Sequence, residues 1–111
     1  MKKSIVIHVH GQTFFLFKST RKYKKYDVYT LQHISDPRYP RYPRYPRYPH
    51  QQLKYVTSFG DSRYEHYYDK IGLYAHLDHN DLERRRNYRS RHTEDHTDPT
   101  RAGYWSWNWL W

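Results

Sequence analysis

The sequence predicts an α+β chain: a small antiparallel β-meander of about four strands, followed by short helices and an aromatic C-terminal tail. Three observations lead there. Up to Phe59, β-branched and aromatic residues gather in short runs separated by turn residues. Beyond Phe59 the apolar residues recur at three- and four-residue spacing behind helix-capping patterns. The chain has 111 residues, and its 36% hydrophobic share is rich in aromatics, so one small core and a single domain spanning 1–111 are expected.

The first two strands are read at Ile5 to His10 and Thr13 to Phe17, joined through Gly11 and Gln12. A two-residue loop with glycine at positive φ predicts a type II′ turn. A third strand is placed at Lys25 to Leu31, where Tyr26, Val28 and Thr30 alternate with Asp27 and Tyr29, and a fourth at Leu53 to Phe59. Seven lysines and arginines precede the first acid, Asp27, so the meander should carry a positive rim.

Between strands three and four, residues 36–50 hold a Pro-Arg-Tyr repeat running from Pro37 to Pro49. Proline at every third position excludes helix and central strand and favours polyproline II, whose turn is also three residues. Period and pitch then put Arg38, Arg41, Arg44 and Arg47 on one ridge and Tyr39, Tyr42, Tyr45 and Tyr48 on another. At about 3.1 Å per residue the run reaches roughly 40 Å, which makes it an arm or a spacer. As an arm it offers tyrosine rings for stacking and arginines for phosphates.

The second half changes period. Ser62 with Glu65 is a capping-box pattern, and Tyr64, Tyr67, Tyr68 and Ile71 share a helical face, so a short helix is predicted from Arg63 to Lys70, ending near Gly72. Asn80 with Glu83 repeats the signal and opens a second helix through about His92. That helix carries Arg84, Arg85, Arg86, Arg89 and Arg91, with only Leu82 and Tyr88 to bury, so it should pack lightly. Asp98 and Pro99 form a cap and first-turn pair ahead of Trp105, Trp107, Trp109 and Trp111, which favours a helical tail over a strand. Indoles are costly to leave in water, so the tail should dock on this chain or on a neighbour.

Net charge is +9, and such a surface attracts polyanions. The close-set guanidinium groups of the arginine helix match phosphate geometry. Histidines pair at His8 and His10, His76 and His79, and His92 and His96, but no cysteine is present, and the spacing supplies no third ligand, so no metal is expected. Asp61, Glu65, Asp69, Asp78 and Asp81 lie near predicted helix starts, where capping and salt bridges to the arginine helix are the expected roles. The sequence holds no nucleophile elbow, phosphate loop or dinucleotide fingerprint, so neither enzymatic activity, cofactor nor small-molecule substrate is expected. Nor is a signal peptide or membrane span expected, since His8 and His10 break the first apolar stretch and no segment nears about 20 apolar residues.

A series of unusual residues falls in order across the C-terminal half: Phe59-Gly60-Asp61, Tyr67-Tyr68-Asp69-Lys70-Ile71-Gly72, His76-Leu77-Asp78-His79, Arg84-Arg85-Arg86-Asn87-Tyr88-Arg89, Asp98-Pro99 and Ala102-Gly103-Tyr104-Trp105-Ser106. This half resembles small basic proteins of unknown function encoded by nucleocytoplasmic large DNA viruses of the mimivirus and phycodnavirus kind. The resemblance implies that strands three and four form a hairpin leading into the Phe-Gly motif, with the Pro-Arg-Tyr run where a short loop would stand. It implies no activity. It does imply a context, the virion or the infected host cytoplasm and its viral factories.

Two functions follow as expectations. One is a minor capsid or cement-type virion component that binds acidic or subunit surfaces through Arg, Tyr and Trp contacts. The alternative is a DNA- or RNA-binding protein that neutralises phosphates with its basic helix and repeat arm.

Overall fold

The computed structural model describes residues 4–33, 51–94 and 96–111. Four strands, β1 (Ser4–Val9), β2 (Gln12–Lys18), β3 (Lys24–His33) and β4 (Gln51–Asp61), form one antiparallel sheet in the order β1-β2-β3-β4. Helices α1 (Leu82–Arg91) and α2 (Ala102–Trp109) follow, so the molecule is an α+β meander with an aromatic tail. The Pro-Arg-Tyr run, with Arg38, Arg41, Arg44, Arg47, Tyr39, Tyr42, Tyr45 and Tyr48, lies outside the described residues.

The first turn is one residue earlier than the spacing implies. Val9 pairs with Gln12, which leaves His10 and Gly11 as the central residues, at φ 49° and 79°. Positive φ at both is the signature of a type I′ turn, whose twist matches the flanking strands, and not of the expected type II′. Histidine is among the non-glycine residues that enter this region more readily. At the other side of the sheet, β3 runs one residue before and two residues past its predicted bounds and β4 two residues past each of its own, because their pairing continues from Lys24↔Asp61 to His33↔Gln51. A bulge between Val28 and Tyr29 shifts the register and preserves the in-out alternation on each side of it.

One face of the sheet supplies Phe14, Leu16, Tyr26, Val28 and Phe59 to the core. The tail covers it. Trp105, fully buried, meets Phe14 edge-on at 5.1 Å and stacks on Phe59 at 6.3 Å, while its indole N–H donates to the Pro99 carbonyl at 2.8 Å. Leu110 closes the same core over Gly60, where a Cβ would sit 2.9 Å from Leu110 Cδ1 and 2.8 Å from Lys25 Cδ. Gly60 also holds φ 77°, so both its conformation and its neighbours require glycine. The helical tail starts later than Asp98 and Pro99 imply. Asp98 instead closes a turn by accepting from the Thr100 N–H, and Arg101 occupies the cap position without a side-chain bond.

The helix predicted from Arg63 to Lys70 does not form. That stretch is a series of turns, followed by a single 3₁₀ turn at Ala75–Leu77. Its backbone bonds go outward: Tyr68 N–H to the Leu110 carbonyl, Lys70 N–H to the Trp109 carbonyl and His66 N–H to the Leu77 carbonyl. Tertiary partners therefore outcompete the local helix, and Tyr64 and Tyr68, which were to face inward, stay exposed. The second helix does form, capped by Asp81 in place of Asn80. The Asp81 carboxylate accepts from the Glu83 and Arg84 N–H groups, while Asn80 sits at φ 54° one residue upstream.

Candidate functional site

The sheet ends in a cluster of cations and tyrosines at the β2–β3 turn. Arg21-Lys22-Tyr23-Lys24 turns the chain, with the Lys24 N–H bonded to the Arg21 carbonyl and Tyr23 at φ 63°. The Ser62 N–H donates to the Tyr23 carbonyl at 3.1 Å, which fixes the end of β4 against this turn. Arg63 then lays its guanidinium 4.0 Å from the Tyr23 ring centre and 5.4 Å from that of Tyr64. Lys22 Nζ stands 5.0 Å from the centre of the same Tyr23 ring. Arg21 covers Tyr55 at 4.0 Å. Tyr23, Tyr55 and Tyr64 all remain exposed, so these are cation–π contacts open to solvent.

Two acids hold this cluster in shape. Asp61 accepts from both the Arg63 backbone N–H and its guanidinium, at 2.9 and 2.7 Å, and these bonds pull its carboxyl down to about 2. Asp27, buried on β3, accepts from Ser58 Oγ at 2.6 Å and lies 3.5 Å from Arg21. Both arginines are thereby oriented while remaining half-exposed.

The arginine helix divides its side chains. Arg84 pairs with Glu65 at 3.0 Å on the surface. Arg85 donates to the Trp111 carbonyl at 2.7 Å and lies over Tyr67. Arg89 lies half-buried 4.7 Å over Trp107. Arg86 and Arg91 are exposed and have no partner among the described residues. Of the five arginines singled out by sequence, then, two are integral to the tail's packing and two are unpaired among the described residues.

The tail's indoles all face this chain. Trp105 is core, Trp107 stacks on His96 at 4.4 Å, Trp109 packs beside the core, and Trp111 stacks on Tyr88 at 4.4 Å and 6°. His92 stacks on the same Tyr88 at 4.1 Å. His92 and His96 thus serve two different rings, His79 packs against Trp111, and His10 lies in the hairpin turn just past the strand that holds His8. Among the described residues no three His, Cys, Asp or Glu side chains converge as a metal site.

A polar network missed by the sequence reading lies beneath the loop. Lys25 Nζ donates to His66 Nδ1 at 2.6 Å and to the Tyr64 carbonyl at 2.9 Å. With Nδ1 accepting, His66 is neutral and its Nε2–H donates to Asp78 at 2.5 Å. Tyr26 donates to Asp69 at 2.6 Å, and Asp69 also accepts from the Ile71 and Tyr74 N–H groups. Burial lowers the Lys25 ammonium to about 8, and burial followed by the nearby Lys25 charge lowers His66. Burial, then the Asp69 bond, raises the Tyr26 phenol. Asp69 therefore ties the loop to the sheet through Tyr26, and Asp78 ties the loop together through His66 and the Asp69 N–H, whereas sequence assigned both to helix caps and salt bridges. The residues resemble a catalytic set, yet Lys25, His66 and Asp69 are buried with these bonds made. A hollow of about 270 Å³ opens nearby between Gly60, Asp61, Glu65, Tyr88 and Trp111.

The basic turn was legible only as a positive rim. Its signal was the run Arg21-Lys22-Tyr23-Lys24-Lys25-Tyr26, in which aromatics interleave with cations, but its pairing with Arg63 and Tyr64 is a tertiary event. No helix among the described residues is long and apolar enough to cross a membrane. Comparison with protein-family models, curated proteins and solved structures finds no match to this chain.

Proposed function

We propose that this chain is a non-enzymatic binding protein whose partner is nucleic acid, held at the basic, tyrosine-lined end of the sheet. The observation that carries this reading is Tyr23, an exposed ring 4.0 Å from the Arg63 guanidinium and 5.0 Å from Lys22. Stacking surface and phosphate-pairing cations occur there together, the combination that polyanion binders of this kind use. Arg86 and Arg91 add exposed guanidinium groups on α1 that have no partner among the described residues. The net charge of +9 supplies long-range attraction.

A cement-type virion subunit would dock through its aromatic tail and its extended arm. The arm lies outside the described residues, and Trp105, Trp107 and Trp111 have partners within this chain, which favours nucleic acid over subunit packing. The resemblance of the C-terminal half keeps the setting as the virion or viral factory of a large DNA virus. Mass spectrometry of purified particles tests that setting separately.

Salt titration of DNA binding tests the function. If Arg21, Lys22, Lys24 and Arg63 contact phosphates, log affinity falls linearly with log salt, and Lys22→Gln or Lys24→Gln each shallows the slope by about 1. A flat salt response would remove the nucleic-acid reading.

A further inference from the structure

The tail and the 62–80 loop cover one face of the sheet, and among the described residues no element covers the other. The register puts Val6 beside Phe15, Phe15 beside Tyr29, Tyr29 beside Tyr55 and Leu31 beside Leu53, all on that second face. None of these residues packs against the core cluster, and Val6, Leu31, Leu53 and Tyr55 are exposed. Across three adjacent strands the rings form a ladder, Phe17 to Tyr29 at 5.5 Å and Tyr29 to Tyr55 at 5.7 Å. Arg21 leans from the basic turn onto its last ring.

We infer that this open face is the docking surface for a single strand of nucleic acid, whose unpaired bases stack on the Phe17, Tyr29 and Tyr55 ladder while Arg21 and Lys22 hold its phosphates. The inference rests on the nucleic-acid reading above and narrows it. Three features select this occupant. A broad sheet face does not enter the grooves of a duplex, whereas unpaired bases present a π-face to any ring they meet. The rings meet edge to face, at 85° and 72°, so bases can use them only one to a ring, which suits a stretched strand whose bases are parted beyond the ~3.4 Å rise of stacked base pairs. Charge is complementary as well: the one acid on this face among the described residues, Asp27, is buried under Ser58 and Arg21, so no carboxylate opposes a phosphate there. A second copy of the chain is the poorer occupant, since two bodies of charge +9 repel.

Fluorescence anisotropy with the full chain tests this, using labelled oligothymidylate, a duplex of the same length and heparin, a polyanion without bases. Oligothymidylate should bind at least tenfold more tightly than duplex at equal salt. Tyr55→Leu should weaken oligothymidylate about tenfold, as loss of one stacked base does, and leave heparin unchanged, while Tyr55→Phe restores binding. Bromouracil cross-linking to the unsubstituted chain is the check that needs no variant, and its adducts should map to Tyr29 or Tyr55. Equal binding of all three probes, an unaltered Tyr55→Leu, or adducts confined to Tyr23 and Tyr64 would overturn the open-face site while leaving the basic turn's role standing. Failure of every probe to bind would instead overturn the function proposed above along with it.

Discussion

Lys25 is buried at 2% exposure yet its amine is hydrogen-bonded, because Nζ finds both the Tyr64 carbonyl and His66 Nδ1 within reach. That arrangement requires a neutral imidazole. Protonating His66 would put two cations in contact inside the protein, the costly case of a buried like-charge pair. Burial and Lys25 accordingly hold the folded-state pKa of His66 below its ordinary 6.5. The sign of the linkage follows. As pH falls through 6.5 the unfolded chain takes up this proton first, so the stability His66 contributes is full above that value and is lost as pH falls toward its lower folded pKa. Urea unfolding between pH 7.5 and 5 should therefore show a midpoint that drops with acid, and His66→Gln should flatten the drop while lowering the midpoint at pH 7.5. Equal acid sensitivity of both proteins would mean that other histidines carry the effect.

At the scale of elements, α1 is an amphipathic helix in which cations replace the usual apolar stripe. Its buried side is made by Arg85 and Arg89, whose guanidinium groups lie over Tyr67 and Trp107, and by Tyr88 stacked on Trp111. Arg86 and Arg91 lie outside this contact. Substituting Arg86 or Arg91 by Gln should leave stability within about 0.5 kcal/mol while weakening nucleic-acid binding. Arg89→Gln should cost about 1–2 kcal/mol through its lost ring contact and packing. Thermal melts read beside binding curves separate the two classes, and a destabilised Arg86 variant would contradict the division. Sequence alone announced this helix and its light burial, but gave all five arginines the same role. Periodicity reports which residues share a face. It does not report whether the neighbouring element offers an aromatic ring, and here that decides which cations are structural. The same limit explains the helix that failed to form at Arg63 to Lys70, where Asp69 and His66 were drawn into the sheet's polar network.

At the scale of the whole molecule, the meander was readable because strand alternation and turn residues act locally, and the late-coming tail was readable as a helix from the four-residue spacing of its tryptophans, although the expected cap at Asp98 closes a turn instead. Its destination was not, since nothing near Trp105 in sequence points to Phe14, which lies in β2. The fold closes by joining its first third to its last few residues: Trp105 lies between Phe14 and Phe59, Leu110 lies over Gly60, and the backbone of Tyr68 and Lys70 bonds to Leu110 and Trp109. A four-stranded sheet without that cover would expose Phe14, Leu16, Val28 and Phe59 together, and a tail without the sheet would expose its indoles. Neither part has a core of its own, so the two should unfold together. Tryptophan fluorescence, which reports the tail, and far-ultraviolet circular dichroism, which also reports the sheet, should then give coincident denaturant transitions with one midpoint. An earlier fluorescence transition would show that the tail detaches from a sheet able to stand uncovered, and the shared core described here would not be what holds the molecule together.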